Sequence, residues 1–367
     1  MRRKLLFAVL ILLVAAGGFV WWWSRPLPVL TITTWPETYG RAQAASQIVP
    51  YGVEKRVNTR IAQWTGDMNE IRRAVQSGRY PSDVYDLELP AAVQACRENL
   101  LEQIDVAALP PGADGTPAAK DFYQGMLGNC FVASAVYGQM LVCRKPCGAF
   151  NLAGLFFAIA SPTPFAPEEG SIVGAKIALQ RTAKVNLEMA LLADGVPPDQ
   201  VYKLLATPEG VHRAFAKLDT IKHNIVWWSG AKEPLALLRR GDVKVATALT
   251  GEVHAAMAGG NLVLQQQQFY EADVLAIPRG TPKKEMALDY LRYATGSAPL
   301  AGMTRFAPFT PPRRSSLPLV EKLPPSPTRN FVLSQKGALD KSFAIDSSWW
   351  HEHGAPLEAR FRIWMGA

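Results

Sequence analysis

Short apolar runs alternate with amphipathic stretches along most of the chain, the pattern of strands that are each followed by a helix. Val29–Trp35 and Tyr85–Pro90 are rich in β-branched and aromatic residues and have the length of a strand. Asn69–Ser77 carries apolar residues at helical spacing and is followed by Gly78, a residue that commonly ends helices. Repetition of this pattern predicts an α/β fold around a mostly parallel sheet.

The second half of the chain continues the alternation after one unusually long apolar run. Phe131–Val142 is made of small and β-branched residues, so we predict a long strand that passes from one lobe to another. Gly148–Gly174 shows no clear period and stays unassigned. Further predicted strands are Ala175–Leu179, Ile225–Trp228, Val243–Thr247, Leu262–Gln267 and Asp273–Ile277, and the main predicted helices are Val185–Ala193, Thr207–Leu218, Pro282–Tyr293 and a closing helix within Trp349–Trp364.

Two predicted strands end in residues suited to binding. Val243–Thr247 leads to the polar turn Thr250-Gly251-Glu252 before a short helix, the place where open α/β sheets hold ligands. The alternative is an ordinary strand-to-helix turn that binds nothing. Trp35, Glu37 and Tyr39 follow the first strand and combine stacking faces with a carboxylate, which suits a cationic or sugar-like ligand. The alternative here is a proline turn with surface aromatics.

Glu271 and Asp273 are two residues apart in a predicted strand. Side chains at this spacing face the same side of a sheet, so the two carboxylates either face water or serve a cation. Both are candidate ligand-binding residues.

The amino terminus has the pattern of an export signal. Arg2-Arg3-Lys4 precedes an unbroken apolar run from Leu5 to Trp23, and small residues at 15–18 offer a cleavage site. If it is not cleaved, the run is long enough to anchor the chain in a membrane. We therefore assign residues 1–26 as a signal peptide or membrane anchor and expect the rest outside the inner membrane.

Composition and charge exclude several classes of protein. With 49% hydrophobic and 19% charged residues among 367, the chain can build a packed core. Its net charge of +8 is spread along the sequence instead of being concentrated with interleaved aromatics, so we expect no nucleic-acid partner. The sequence has no G-x-S-x-G elbow, no phosphate-binding loop and no H-E-x-x-H motif, so we expect a non-enzyme without a cofactor.

The four cysteines fit an exported protein, because disulfides form outside the cytoplasm. Cys143 and Cys147 would close a short loop, whereas Cys130 and Cys143 would face each other across paired strands; the fourth residue is Cys96. The sequence does not choose among the pairings. We expect no metal site, since His351 and His353 are two apart and point away from each other in a helix.

Taken in order, these segments resemble the spermidine/putrescine-binding family of bacterial ABC-importer solute-binding proteins. The resemblance covers about residues 29–367 and is carried by the Trp35–Tyr39 cluster, the YDLELP strand and the ordered segments at 185–231, 237–256, 270–291 and 347–366. It implies a type II periplasmic-binding-protein fold with two α/β lobes, each a mixed, mostly parallel sheet flanked by helices. The implied division assigns 27–135 and 270–367 to lobe 1 and 136–269 to lobe 2, with crossings near Phe131–Val142 and Leu264–Asp273.

The resemblance also implies a function: capture of a small polar solute, a polyamine or an amino-acid-like amine, and its delivery to an ABC permease in the inner membrane. Aromatic rings would stack on the solute's methylene groups and carboxylates would pair with its ammonium groups. The resemblance also implies that Trp228 and Thr250 lie in the wall of the second lobe and contact the solute. Two acidic positions of polyamine receptors correspond to Arg181 or Thr182 and to Val185. The alternative is a membrane-anchored sensory or scaffolding protein that keeps the fold without transport.

Overall fold

A computed structural model of the protein describes residues 26–162, 168–257 and 259–366. Its strands, numbered along the chain, alternate with helices as the sequence predicts. They are β1 (Val29–Thr34), β2 (Asn58–Gln63), β3 (Val84–Glu88), β4 (Phe131–Arg144), β5 (Ile177–Gln180), β6 (Ile225–Trp228), β7 (Val245–Leu249), β8 (Leu262–Ala276) and β9 (Phe343–Ala344).

The α-helices are short except for the last one, and many begin at a polar capping residue. Thr207, for example, accepts the backbone N–H of Gly210 and starts a helix whose first residue is proline. The helices are α1 (Glu37–Gln43), α2 (Val49–Lys55), α3 (Met68–Ser77), α4 (Leu89–Arg97), α5 (Ala118–Asp121), α6 (Leu152–Ala160), α7 (Asn186–Ala193), α8 (Val201–Leu205), α9 (Pro208–Asp219), α10 (Glu233–Arg240), α11 (Thr250–Met257), α12 (Lys284–Ala294), α13 (Ser297–Met303), α14 (Leu317–Lys322), α15 (Pro327–Ser334) and α16 (Ser347–Met365).

The strands form one sheet in the order β2-β1-β3-β8-β4-β7-β5-β6, with β9 added beside β8. Five of the strand pairs are parallel; the antiparallel pairs all involve β4 or β8. The predicted mixed, mostly parallel α/β fold is confirmed. The two separately predicted strands Leu262–Gln267 and Asp273–Ile277 are instead one continuous strand, because residues 268–272 between them pair with β4 as well.

The long strands β4 and β8 join the two halves of the molecule. Phe131 to Val136 of β4 and Tyr270 to Ala276 of β8 pack in a first hydrophobic core with β1 and β3. Leu141 and Cys143 of β4 and Phe269 of β8 pack in a second core with β5 and α7. The two strands therefore cross from one lobe to the other side by side.

The C-terminal segment contributes to both cores, and the division of the chain into lobes stays a prediction. Tyr290 and Leu291 of α12 belong to the first core. Trp350, Leu357 and Phe361 of α16 are instead buried in the second core. The chain returns through β9 to pack its last helix on the half to which β5 and α7 belong.

Both disulfides lie on elements of the crossing region. Cys96 at the end of α4 is bonded to Cys130, directly before β4, and Cys143 of β4 is bonded to Cys147. Of the open alternatives, the structure has the short Cys143–Cys147 loop, while Cys130 pairs with Cys96.

Within the described ranges no helix has both the length and the apolarity needed to span a bilayer. The predicted signal or anchor, residues 5–23, lies outside the described residues.

Candidate ligand-binding site

A cavity of about 390 Å³ lies where β4 and β8 cross, between residues of the two halves. Aromatic side chains and carboxylates make up most of its wall, together with the amino end of α11. Its lining residues are Trp35, Pro36, Tyr39, Glu88, Tyr137, Gly138, Leu249, Thr250, Gly251, Glu252, Asp273 and Phe309.

The aromatic wall comes from the carboxyl end of β1 and from the loop before α14. Trp35 follows β1 directly, and Tyr39 lies in the first turn of α1. Phe309 meets Tyr39 edge to face, with ring centroids 5.5 Å apart. Offset and edge-to-face pairs are the preferred geometry of aromatic rings. These rings offer a rigid apolar surface to a ligand's methylene groups.

The acidic wall comes from one face of the paired strands. Glu88 of β3 and Ala135 of β4 both lie opposite Asp273 of β8, and Tyr137 lies opposite Glu271. Because side chains two residues apart point to the same side of a strand, these groups share one face. Asp273 has only 7% of its surface exposed, and its carboxylate has no hydrogen bond or ion pair with any other described residue.

Burial raises the pKa of Asp273 well above its usual range, and the neighbouring carboxylates, first of all Asp86, raise it further. Asp86 is fully buried beneath the cavity, and burial raises its pKa to about 7 despite hydrogen bonds from Ser134 and Tyr39. Removing a carboxylate from water disfavours its charged form, and a nearby cation restores it. The site is therefore arranged to gain from binding a positive group.

The opposite wall is held in place by Thr250. Its hydroxyl donates to the carbonyl of Gly138 and accepts the Gly138 N–H, both at 3.1 Å. A side chain at Gly138 would not fit, since its Cβ would come within 2.1 Å of the Phe269 carbonyl oxygen. These contacts dock the amino end of α11 onto β4, and the free backbone N–H groups of a helix amino end favour anions.

The structure brings together four of the seven predicted binding residues, Trp35, Tyr39, Thr250 and Asp273. The side chain of Glu37 lies outside the described part of the chain. Trp228 is 1% exposed, packs in a third core with Met140 and Leu238 and does not line this cavity, so its contact with a ligand stays a prediction. Glu271 is engaged by Lys184 and Ser347 and does not line the cavity.

Glu88, Tyr137, Glu252 and Phe309 line the cavity without having been predicted. Glu88 carries a signal in the sequence, because it ends the YDLELP strand at the same sheet edge as Trp35. Tyr137 depends on the register of β4 with β8, and Phe309 on the return of a loop distant in the chain; neither is visible in local patterns.

A second cavity of about 710 Å³ lies beside β9, between α4 and α8. Its wall mixes apolar side chains with polar ones, among them Asp199, Lys203 and Asp346. The carboxylate of Asp346 caps α16 by accepting the Trp349 N–H, and that of Asp199 accepts from the Gln200 amide. It therefore lacks the unpaired buried carboxylate that distinguishes the cavity at Asp273.

Two halves joined by paired strands, with a cavity of aromatic rings and carboxylates where the strands cross, have the architecture of a two-lobed receptor for small solutes. The chain belongs to the bacterial extracellular solute-binding protein family, whose model matches residues 51–328. Over 337 residues it is 30% identical to the gamma-aminobutyric acid-binding protein of Pseudomonas aeruginosa, covering 91% of this chain and 90% of that one. Membership places the protein among extracellular binding proteins and not among enzymes, as expected.

Solved structures show the same fold. The Atu4243-GABA receptor matches with a TM-score of 0.68 and 24% identity over 92% of this chain and 97% of that chain. AttC of Agrobacterium tumefaciens C58, in an open unliganded conformation, matches with a TM-score of 0.75 and 18% identity, covering 92% and 99%. The spermidine/putrescine-binding protein PotD of Streptococcus pneumoniae matches with a TM-score of 0.65 and 12% identity, covering 92% and 99%.

Proposed function

We propose that the protein captures a small zwitterion, an ω-amino acid of the γ-aminobutyrate type, and delivers it to an ABC permease of the inner membrane. The observation that supports this most strongly is the Asp273 carboxylate, which is buried in a cavity of about 390 Å³ and has no partner among the described residues. The relative from Pseudomonas aeruginosa, named for binding gamma-aminobutyric acid, supports this ligand class.

Each chemical group of such a ligand would face a part of the cavity wall that suits it. The ammonium group would pair with Asp273 and lower the pKa that burial and Asp86 raise. The methylene chain would lie against Trp35 and Tyr39, and the carboxylate would face the amino end of α11 at Gly251. Charge-assisted hydrogen bonds of this kind contribute roughly 1.5–3 kcal/mol each.

A polyamine ligand fits this arrangement less well than a zwitterion. A second ammonium group would need a second available carboxylate, and Glu271 is occupied by Lys184. Glu88 and Glu252 also line the cavity, so the number of carboxylates does not decide between the two ligands. The amino end of α11, by contrast, favours a negative group.

Titration calorimetry of the purified chain with γ-aminobutyrate, putrescine, spermidine, glycine and glutamate tests the proposal. We expect γ-aminobutyrate to bind most tightly, and Asp273→Asn to lose this binding. Asp242→Asn is the matched control, because Asp242 pairs with Arg240 on the surface and should leave affinity unchanged. Tightest binding of spermidine, or no effect of Asp273→Asn, would contradict the proposal.

A further inference from the structure

An internal ammonium group sits next to the cavity. The Lys184 Nζ lies 2.7 Å from Oε2 of Glu271, and the Ser347 hydroxyl donates to Oε1 of the same carboxylate at 2.8 Å. The side chains of Lys184 and Glu271 are 29% and 13% exposed. Both oxygens of Glu271 are therefore occupied by groups of the protein itself.

The position of Glu271 relative to Asp273 suits a second cationic group. Two residues along a strand span about 6.6 Å, and both side chains face the same side. This separation is comparable to the length of a short alkyl diamine. Burial and Glu271 raise the pKa of Glu88 in the cavity wall while the Lys184 ammonium opposes them, so Lys184 and the cavity share one electrostatic environment.

The loop that carries Lys184 is held rigidly by α16. Glu358 of this helix accepts the backbone N–H groups of Ala183 and Lys184 at 3.0 and 3.2 Å and the Thr182 hydroxyl at 2.6 Å. The loop ends at Val185, whose φ of 74° is strained for a β-branched residue. A strained backbone persists only where its surroundings determine it, and here Glu358 supplies the contacts.

We propose that Lys184 determines specificity by filling, from within the protein, the second cation position of the cleft. With Glu271 paired to Lys184, this carboxylate is not free for a second ligand ammonium group, and the carboxylates of the cavity wall are those of Asp273, Glu88 and Glu252. A diamine whose second ammonium group would reach Glu271 is therefore disfavoured, whereas a ligand with a single ammonium group is not. This inference rests on the proposed function, since it explains why a monoamine is taken at that same site.

Lys184→Gln removes the internal cation and frees Glu271. Titration calorimetry of the full chain with 1,4-diaminobutane should show about a tenfold or larger gain in affinity, the effect of one charge-assisted hydrogen bond. Lys184→Arg keeps the charge and should keep the rejection of the diamine. Lys336→Gln breaks an exposed ion pair with Glu321 and serves as the matched control. In Lys184→Gln/Glu271→Gln the gain should disappear.

Unchanged diamine affinity in Lys184→Gln, or tight diamine binding by the wild type, would overturn the inference. If Lys184→Gln does not fold alone, we expect refolding with 1,4-diaminobutane and not with γ-aminobutyrate; no rescue also counts against it. The proposed function is judged separately by γ-aminobutyrate binding to the wild type. If Lys184→Gln gains affinity for the diamine while the wild type does not bind γ-aminobutyrate, the proposed function is wrong and the role of Lys184 stands.

Discussion

Asp273, the proposed partner of the ligand ammonium group, is expected to lower the stability of the ligand-free protein. Its buried carboxylate has no cationic partner among the described residues, and its pKa is raised by burial and then by Asp86. A carboxyl whose pKa is higher in the folded than in the unfolded state stabilises the fold below its usual pKa and loses that contribution as pH rises through the folded value. Above the usual carboxyl pKa, the ligand-free fold is therefore destabilised by a carboxyl group whose charged form is disfavoured in its buried position.

Asp273→Asn should raise the melting temperature of the ligand-free protein at about pH 8 while abolishing amine binding, since the amide carries no charge to be desolvated. Thermal unfolding followed over pH checks this, and the advantage of the variant should shrink as pH falls toward the usual carboxyl value of 3.8. A variant that melts below the wild type at every pH would show that Asp273 makes stabilising contacts instead.

Affinity for an amine should depend on pH in a defined direction. An ammonium ligand lowers the raised pKa of Asp273, so binding releases protons and affinity increases as pH rises from the usual carboxyl value of 3.8 through the raised pKa of Asp273. The ligand ammonium remains charged throughout, since alkyl amines titrate near pH 10. Calorimetry in buffers of different ionisation enthalpy measures the proton release. Affinity that is flat or falls across this range would place the ammonium group elsewhere.

Residues at strand ends could be predicted from the sequence, whereas contacts set by register could not. Trp35 and Thr250 directly follow strands, Tyr39 lies in the helix after β1, and all three line the cavity. Trp228 lies next to Trp227, and only pairing with β5 decides that their side chains enter different cores. The occupation of Glu271 by Lys184 joins positions 87 residues apart in the chain, a distance beyond any local pattern.

At the scale of elements, the alternation of strands and helices was predictable because its periodicity is strong. The pattern predicts the long strand β4, but it divides β8 into two, because residues 268–272 do not alternate regularly between apolar and polar; pairing with β4 makes the strand continuous. Helix α6 was missed inside the unassigned region, since its residues are apolar on nearly all sides and show little period.

The two disulfides should differ in what they contribute to stability. Cys96–Cys130 closes a loop of 34 residues and Cys143–Cys147 one of 4, so loop-closure entropy predicts about 3.8 and about 1.9 kcal/mol. Urea unfolding of Cys96→Ala/Cys130→Ala and Cys143→Ala/Cys147→Ala measures the two losses. A larger loss from the short loop would show that local packing near β4, and not chain entropy, dominates.

At the scale of the whole molecule, two cores joined by β4 and β8 make a receptor that can bind a solute between its halves. The order of segments along the chain was sufficient to predict this architecture. The return of the chain to place α16 on the second core was not predictable, because its aromatic residues are equally suited to either half. That return brings Ser347 and Glu358 to Glu271 and Lys184, so the architecture also sets the electrostatics of the cleft.

A crystal structure of the protein grown with γ-aminobutyrate tests the central claim most directly. The account predicts the ligand in the cavity at β4 and β8, with its ammonium nitrogen within hydrogen-bond distance of the Asp273 carboxylate and its methylene groups against Trp35 and Tyr39. The ligand in the larger cavity beside β9, or in the predicted cavity with its ammonium directed away from Asp273, would contradict it.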